Sequence, residues 1–251
     1  MEPLGGLECL GSVTSTNDVL RERARAGAPE WTALIAEVQT AGRGREGRSW
    51  RSPPGDLFLS ILLRPVLGPE ALLALPLLAG VAVAEASASF GASARLKWPN
   101  DVMVGERKLG GVLVEAASSG GRVDFVVVGI GLNLVAEAGE IATELRTFTT
   151  SLSAETGRSV AALDAARAVL ARMSLWYDRL AREGPASVLG AWRSVSVPWW
   201  GERVEVISSG TRVEGMAHGI DESGALLLLK DDGVTLRVLS GDARALRRLS
   251  G

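Results

Sequence analysis

Three arginines and three glycines fall within ten residues of the chain, QTAGRGREGR at positions 39 to 48. Arginine carries a permanent planar charge that suits carboxylates and phosphates, and glycine leaves the backbone mobile. The stretch therefore predicts a loop that closes over an anionic ligand. A solvated surface loop is the alternative interpretation. Arg43, Arg45, Arg48 and Arg51 against Glu46 give residues 43 to 51 a local charge of +3.

Two known phosphate-binding patterns also fit the letters of this loop. Gly42, Gly44 and Gly47 have the spacing G-x-G-x-x-G, and GRGREGRS differs from a Walker A sequence at Arg48, where a lysine belongs. Both patterns require a helix directly after the loop, because the N-terminal amides of that helix hold the phosphate. The next segment, SWRSPPGDLFLS, contains two prolines and then becomes strand-like. We therefore expect neither pattern to operate here.

A second group of reactive side chains is KWPND, at positions 97 to 101. Lys97 suits a phosphate and Asn100 a polar ligand, while the carboxylate of Asp101 is a ligand type that Mg²⁺ prefers. A Pro-Asn-Asp turn with an exposed lysine is the alternative. The pentapeptide alone leaves both interpretations open.

Three further segments combine small residues with polar ones. RKLGGVLVE places Lys108 ahead of Gly110 and Gly111, whose missing side chains let a ligand lie against the backbone. GIGLNL ends an apolar strand with two glycines and Asn133. TSTN, just before the first helical pattern, supplies hydrogen-bonding side chains, with helix capping as their alternative role. Each segment is a weak signal by itself.

Composition narrows the classes of protein to consider. The chain has 251 residues, of which 47% are hydrophobic and 22% charged, which is typical of a globular protein. Its formal net charge of −2 argues against a broadly basic surface for nucleic acid. Cys9 and His218 are the only residues of their types, which excludes intramolecular disulfides and zinc sites built from Cys/His clusters. A Ser-His-Asp triad would need His218, which has no nucleophile elbow nearby.

Neither a secretion signal nor a membrane span is expected. The start, MEPLGGLECLGS, lacks a basic region followed by a long apolar core. The longest apolar stretch, from Ala71, contains Pro76 and reaches Glu85, so it is shorter than the roughly 20 residues that cross a bilayer. We therefore expect a cytoplasmic protein with a buried helix at this position.

The periodicity of the first part of the chain predicts an α+β fold, with a mainly antiparallel sheet flanked by helices. Strands are expected in WTALIAEVQ, in DLFLSILLRP, and over Val102 to Val104, Gly111 to Ala116 and Val123 to Ile130. The turns between the last three, GERK and SSGG, are short enough for hairpins. Helical patterns run from about Thr16 to Gly27, from Glu70 to about Ala88, and from about Ser153 to Trp192.

After Val197-Pro198 the sequence changes to short alternating strands, RVEVISS, RVEGMAHGI, ALLLLK and VTLRVLS. Turns rich in Gly, Asp and Ser separate them at roughly 8 to 12 residues, which is typical of a small β-barrel. About 50 residues make a marginal free domain, so this part should pack against the rest. The predicted division is residues 1–196 for the main domain and 197–251 for the barrel.

Taken in order, these motifs resemble the biotin protein ligases. The resemblance is carried by Ser15-Thr16-Asn17, by Gln39 with AGRGREGRSW, and by KWPND, RKLGGVLVE, GIGLNL and the later GIDESGALLL. It covers nearly the whole chain and implies a class II synthetase-like catalytic domain with an SH3-like C-terminal β-barrel. It also implies that biotin is activated with MgATP to biotinyl-5′-AMP. The biotin is then transferred to one lysine of the biotin carboxyl carrier domain of acetyl-CoA carboxylase.

The resemblance assigns roles to individual residues. Lys108 and Arg45 are the expected catalytic cations, Asp101 is the expected Mg²⁺ ligand, and Gly110 and Gly111 allow close approach of the ligands. Expected biotin contacts are Ser15, Thr16, Asn17, Gln39, Arg43, Gly44, Arg45 and Lys108. Expected nucleotide contacts are Arg48, Trp50, Lys97, Asn100, Asp101 and Asn133.

Two departures from the family pattern affect these expectations. Many bacterial relatives begin with a DNA-binding winged helix, whereas 14 residues precede Ser15 here, so the chain resembles the class that does not bind DNA. GDARALRR stands where relatives often have Gly-Glu before a basic residue, which makes Arg247 a candidate contact for adenine. A homodimer remains an option for the assembly.

Competing functions come from the same fold and from a different class. A lipoate or octanoate protein ligase or transferase shares the fold, but it would leave the Ser-Thr-Asn group and Gln39 without a purpose. A nucleic-acid-binding module is the second alternative, because Gly-Arg loops and small barrels occur in such proteins. The barrel segment ALLLLKDDGVTLRVL has no basic or aromatic stripe, which argues against it.

Overall fold

The computed structural model describes residues 6–135, 148–208 and 210–246, which form two β-sheets and six α-helices. The larger sheet has seven strands in the order β1-β2-β3-β7-β6-β5-β4. They are β1 (Leu7–Val13), β2 (Ala33–Gln39), β3 (Leu57–Leu63), β4 (Arg95–Lys97), β5 (Asp101–Val104), β6 (Arg107–Ser119) and β7 (Arg122–Leu132).

Neighbouring strands of this sheet run antiparallel except β1 and β2, which are parallel. A parallel pair needs a crossover, and helix α1 (Thr16–Arg25) provides it. The hairpin between β6 and β7 turns at Gly120 and Gly121, whose φ angles of 55° and 79° suit glycine. The predicted α+β class and both predicted hairpins are confirmed.

The remaining helices pack mainly on one face of the larger sheet. They are α2 (Pro69–Leu73), α3 (Leu75–Ser89), α4 (Leu152–Thr156), α5 (Ala162–Glu183) and α6 (Pro185–Val195). Helix α3 is apolar on all sides because it lies buried between the sheet and α5. Helix α5 is amphipathic, with residues such as Val169 and Met173 buried and its charged residues outside.

Alternation along the central strands divides the sheet into two faces with different uses. On β7, Val126, Val128 and Ile130 point into the large core beneath α3. The residues between them, such as Val127, point to the opposite face, where helix α1 covers a smaller core. That smaller core covers only part of the face, and Gly129 continues the same side of the strand beyond it.

The second sheet has five antiparallel strands in the order β11-β10-β9-β8-β12. They are β8 (Arg203–Ser208), β9 (Thr211–Ile220), β10 (Leu226–Leu229), β11 (Thr235–Val238) and β12 (Asp242–Ala245). The indole nitrogen of Trp98 donates a hydrogen bond of 2.9 Å to the carbonyl of Gly224. Arg193 donates one of 2.8 Å to the carbonyl of Ile220. These bonds attach the second sheet to the first part of the chain.

The elements differ from the expectations in several places, among them the edge strand β4, which the sequence patterns missed, and the longer strands β6 and β7. The helix expected over Glu70 to Ala88 is two helices, because the chain restarts at Leu75 with Pro76 in the first turn of α3. The helical region expected over Ser153 to Trp192 is three helices, two of which meet at Gly184. The second sheet contains a fifth strand, β12, that the sequence patterns missed.

Other expectations are not tested by this fold. The division into domains at residues 196 and 197 stays a prediction. Arg247 lies outside the described residues. Among the residues that are described, no helix is both long and apolar enough to cross a membrane.

Candidate active site

A cavity of about 240 Å³ opens on the α1 side of the larger sheet. Its floor is formed by β3, β6 and β7, and its walls by the start of α1, the end of β2 and the arginine-rich loop of residues 42–50, which we call the arginine loop. Thirteen of the sixteen predicted site residues line it, namely Ser15, Thr16, Asn17, Gln39, Arg43, Gly44, Arg45, Arg48, Trp50, Asn100, Asp101, Lys108 and Gly111. Their contacts with ligands stay predictions.

Three predicted site residues are not among those that line the cavity, namely Lys97, Gly110 and Asn133. The ammonium group of Lys97 lies 3.7 Å from Asp101 and 5.7 Å from the ring centre of Trp199. The amide of Asn133 donates to the carbonyls of Lys108 and Thr150, so it fixes backbone. A side chain at Gly110 would meet the carbonyl oxygen of the paired β7 strand at 2.7 Å, so this glycine serves the contact between strands.

The arginine loop folds back on itself. The amide of Gly44 donates to the carbonyl of Arg48 over 2.7 Å, and the amide of Trp50 donates to the carbonyl of Gly42 over 2.8 Å. A side chain at Gly42 would lie 2.5 Å from the carbonyl oxygen of Trp50, so the closure requires glycine. A single 3₁₀ turn, Arg45–Gly47, forms the tip, and the next regular element is strand β3. The rejection of both phosphate-loop patterns is therefore confirmed.

Glycines of β6 and β7 form a flat surface beneath Trp50. Gly111 and Gly131 are register partners, and added side chains there would lie 3.3 Å and 2.4 Å from the indole ring. The ammonium group of Lys108 lies 5.2 Å from the centre of the same ring. The indole nitrogen is buried without a hydrogen-bond partner among the described residues. One face of the Trp50 ring thus lies on the backbone, and its indole N–H remains available to a ligand.

The cations of the site are held by partners from distant parts of the chain. Arg45 donates to Asn100 at 3.3 Å and to the carbonyl of Gly241 at 3.4 Å, and Arg48 pairs with Asp242 at 2.9 Å. Burial lowers the pKa of Arg45, with Glu46 acting in the opposite direction. Arginine nevertheless stays charged near neutral pH. The second sheet therefore fixes two arginines of the cavity wall.

Asp101 links the KWPND segment to Lys108. One of its oxygens forms a close ion pair with the Lys108 ammonium group, and the other faces Lys97 at 3.7 Å. Among the described residues that line the cavity, Asp101 is also the only carboxylate. The structure describes no cluster of three or more His, Cys, Asp or Glu residues that would hold a metal ion among the residues it covers.

A chain of polar groups crosses the floor of the cavity. Ser60 Oγ lies 2.6 Å from Asn17 Oδ1 and 2.7 Å from Thr16 Oγ1, which in turn lies 3.1 Å from Gln39 Oε1. Only the hydroxyls of Ser60 and Thr16 can supply hydrogens to these three contacts. At any moment one of the three contacts therefore lacks a hydrogen. Gln39 also accepts from the Thr16 amide at 2.9 Å and donates to Ser52 at 3.0 Å.

Several residues that contribute to the site were not predicted from the sequence. Ser60 is fully buried, and its signal was a lone polar residue in the apolar run LFLSILL. Asp242 lies in GDARALRR, but its pairing with Arg48 had no local signal, because the two residues are 194 positions apart. The period-two spacing of Gly129 and Gly131 was visible, but their common face became evident only from the sheet. Glu115 ends the segment RKLGGVLVE, where the sequence alone indicates no role for it.

This arrangement suits a ligand with two ends. The end near Lys108 and Arg45 is positive and meets carboxylate or phosphate groups, whereas the end near Gln39 offers both donors and acceptors in a buried setting. The glycine surface with the Trp50 ring lies along the same cavity and suits a flat group. Fold and site together define a ligase class that joins an organic acid to a nucleotide.

Comparison with known proteins agrees with this class. The family model described as "Biotin/lipoate A/B protein ligase family" matches residues 10–133, and that described as "Biotin protein ligase C terminal domain" matches residues 200–243. The chain is 34% identical over 240 residues to the bifunctional ligase/repressor BirA of Escherichia coli, covering 95% of this chain and 73% of the relative.

Two further relatives narrow the class. The biotin--[acetyl-CoA-carboxylase] ligase of Mycobacterium tuberculosis is 35% identical over 249 residues, covering 96% of this chain and 89% of its own. The solved structure of the biotin protein ligase of Aquifex aeolicus with biotin and ATP superposes with a TM-score of 0.83 at 33% identity, covering 96% of this chain and 99% of that one. The chain belongs to the biotin protein ligase family.

Ser60 and Ser87 are both fully buried, but they differ in what the loss of each hydroxyl would leave unsatisfied. Ser60→Ala leaves Asn17 Oδ1 without its hydroxyl donor, and a stranded buried acceptor costs about 1–3 kcal/mol of the free energy of unfolding. Ser87→Ala is the matched control, since Ser87 donates only to the carbonyl of Val83, which the helix also satisfies. We expect a loss below about 1 kcal/mol for the control. Urea unfolding of both variants measures the difference, and equal losses would contradict the role of Ser60.

Proposed function

We propose that the chain activates biotin with ATP to biotinyl-5′-AMP and transfers the biotin to a lysine of a carrier domain. The observation that carries this proposal is the convergence of Lys108 and three arginines on the same cavity as the polar chain of Thr16 and Gln39. Relatives over nearly the whole chain are biotin ligases, and one solved relative holds biotin and ATP.

The activation step brings two anions together. An oxygen of the biotin carboxylate attacks the α-phosphorus of ATP, and the bond from that phosphorus to the leaving pyrophosphate breaks. Cations that lie between the two anions lower the barrier, because negative charge accumulates on the phosphorus oxygens. We assign this role to Lys108 and Arg45. Their partners Asp101 and Asn100 hold them in place before the substrates arrive.

The other end of the cavity suits the ureido ring of biotin, which presents one carbonyl and two N–H groups. Ser15, Thr16 and Asn17 are nearly fully buried at the start of α1. Their hydroxyl and amide groups, together with Gln39, can match that polar edge. The apolar remainder of biotin would lie against the sheet floor. Arg43 and Gly44 complete the proposed biotin contacts from the arginine loop.

The adenylate part would occupy the region of Trp50, Arg48 and Asn100. The indole ring over Gly131 supports a stacking role, since aromatic rings bind the flat faces of bases. Lys97 lies behind Asp101, so we propose that it contributes charge and not a direct contact. Asn133 supports the backbone of Lys108 in the same indirect way.

Mg²⁺ is expected as the partner of the ATP phosphates. Asp101, as the single carboxylate among the described residues of the cavity wall, fits a cation that takes most of its ligands from phosphate oxygens and water. When bound, the ion would neutralise phosphate charge. The protein's own part is the ion pairing of Asp101 with Lys108, which is present without it.

Transfer to the carrier lysine requires little further chemistry. The lysine nitrogen attacks the carbonyl carbon of the adenylate, AMP leaves, and the nitrogen loses a proton. Asp101 already pairs with two ammonium groups, so it is a poor base. Because the adenylate is already activated, positioning of the incoming amine carries the step. The arginine loop would exclude water, which otherwise hydrolyses the mixed anhydride.

The acceptor protein, the domain division, the oligomeric state and the location of the chain are proposals as well. The relatives' name points to the biotin carboxyl carrier domain of acetyl-CoA carboxylase as the acceptor. We keep the division into a catalytic domain, residues 1–196, and a C-terminal SH3-like domain, residues 197–251. A homodimer and a cytoplasmic location also remain proposals. A lipoate ligase is disfavoured, because residues 200–243 match the biotin protein ligase C-terminal domain.

A direct test of the activity uses the intact chain. With biotin, MgATP and a biotin carboxyl carrier domain, we expect the carrier to gain the mass of one biotinyl group, read by mass spectrometry. Lipoate in place of biotin should give no mass increase, because lipoate offers no polar edge to the buried Ser15 and Thr16 side chains. Modification by lipoate alone would instead support the competing function.

Arg45→Gly should weaken retention of the adenylate. Loss of one charge-assisted contact predicts roughly ten- to hundredfold faster dissociation. The measurement is the rate at which labelled biotinyl-5′-AMP leaves the protein in a stopped-flow or filtration assay. Arg51→Gly is the matched control, because Arg51 belongs to the same charged segment but does not line the cavity. Equal dissociation from wild type and Arg45→Gly would remove Arg45 from this role.

A further inference from the structure

Glu115 is an acidic side chain beside the cavity, on the same face of the larger sheet as the cavity floor. It lies on β6 opposite Val127, two residues beyond Leu113, which lines the cavity. Residues at this spacing share one face of a strand, so the Glu115 side chain points to the ligand side of the sheet. Only 23% of this side chain is exposed. A carboxylate that is largely out of water in this way needs nearby partners.

Its partners come from two separate elements of the site. One oxygen, Oε2, accepts hydrogen bonds of 2.8 Å from Asn17 Nδ2 and of 2.8 Å from Arg43 Nη2. The other oxygen, Oε1, lies 3.4 Å from Arg21 Nη1. Asn17 belongs to α1 and Arg43 to the arginine loop. A single carboxylate oxygen therefore joins the start of α1 to that loop.

The contact decides which way the Asn17 amide faces. A carboxylate only accepts hydrogen bonds, so the NH₂ group of Asn17 must point to Glu115. Asn17 Oδ1 then points to Ser60, from which it accepts at 2.6 Å. The same oxygen lies within 2.3 Å of where a side chain on Gly129 would begin, so the amide sits tightly on the cavity floor.

The contact also holds one end of Arg43. Its Nη2 meets Glu115 and, at 2.9 Å, Asp18, so two carboxylates grip the outer edge of the guanidinium group. Arg43 Nε is buried and has no hydrogen-bond partner among the described residues. Arg43 is therefore held at Nη2, while its Nε–H donor has no partner among the described residues and is left for a ligand.

We propose that Glu115 is a positioning residue for biotin, which sets the Asn17 amide and the Arg43 guanidinium in the orientations that receive it. This inference rests on the proposed function. Glu115 acts through these two side chains and does not itself touch the substrate. Asn17 and Arg43 are both assigned to biotin, so the effect of Glu115 should be confined to biotin and should spare ATP.

A merely structural role would give a different pattern. Arg21, Asp18 and Glu115 form a group of ion pairs that also attaches α1 to the sheet. If that attachment were the whole role, loss of Glu115 would lower stability and affect both substrates alike. The Michaelis constants for biotin and for ATP, measured separately, distinguish the two roles.

The test compares Glu115→Gln and Glu115→Ala with wild type in steady-state pyrophosphate release. Glu115→Gln keeps the shape and removes the charge, so it guards against misfolding of the alanine variant. We expect the KM for biotin to rise about tenfold in Glu115→Gln and further in Glu115→Ala, since bonds to charged groups are roughly twice as strong as neutral ones. The KM for ATP and kcat at saturating biotin should stay within about threefold of wild type.

Glu8→Gln is the matched control. Glu8 also forms a carboxylate–arginine pair with α1, through Arg23, but it lies on β1 and does not line the cavity. We expect its kinetic constants to equal those of wild type, which would show that loosening α1 alone does not raise the KM for biotin. A rise as large as that of Glu115→Gln would overturn the inference.

Two other results are decisive. If wild type responds to biotin and Glu115→Gln retains the wild-type KM for biotin, or raises both Michaelis constants equally, the positioning role is wrong and the proposed function stands. If wild type releases no pyrophosphate in response to biotin, the proposed function itself is wrong, and the inference that rests on it is wrong as well.

Discussion

The site depends on an arrangement that keeps several positively charged side chains close together before any ligand is bound. Arg43, Arg45, Arg48 and Lys108 line one cavity, and their mutual repulsion must be balanced within the protein. The balance comes from acceptors around the rim, each contributed by a different element: Glu115 from β6, Asp101 from β5, Asp242 from β12 and the carbonyl of Gly241. The positive end of the cavity is thus preorganised, and the substrates need not gather the cations themselves.

The same strands build the core and the site because their two faces are used differently. Along β7, Val128 and Ile130 fill the core beneath α3, while Gly129 and Gly131 leave the opposite face bare. The bare face lets Asn17 and the Trp50 ring lie directly on backbone. The buried central part of β7 therefore supplies the floor on which the groups of the site are arranged. The geometry of the site therefore follows from the alternation of side chains between the two faces of the strands.

Much of this arrangement was predictable from the sequence, because motifs with chemically demanding residue types are local. Gly42, Arg45 and Trp50 were recognisable as parts of one motif, and the glycine pairs indicated that another group lies close to the backbone. What was not predictable depends on pairings between distant residues. Asn133 was expected at the nucleotide, yet its amide bonds backbone carbonyls, a distinction that only the fold reveals. Asp242 likewise gains its role from a partner 194 residues away.

The polar chain on the cavity floor has a consequence for thermodynamics. Two hydrogens distributed over the contacts among Asn17, Ser60, Thr16 and Gln39 permit more than one pattern on an unchanged set of heavy atoms. An entering N–H group would select one pattern and abolish the degeneracy. Part of the entropy change on binding would then come from the ordering of these hydrogens alone. The heavy atoms would have the same positions in the free and bound forms.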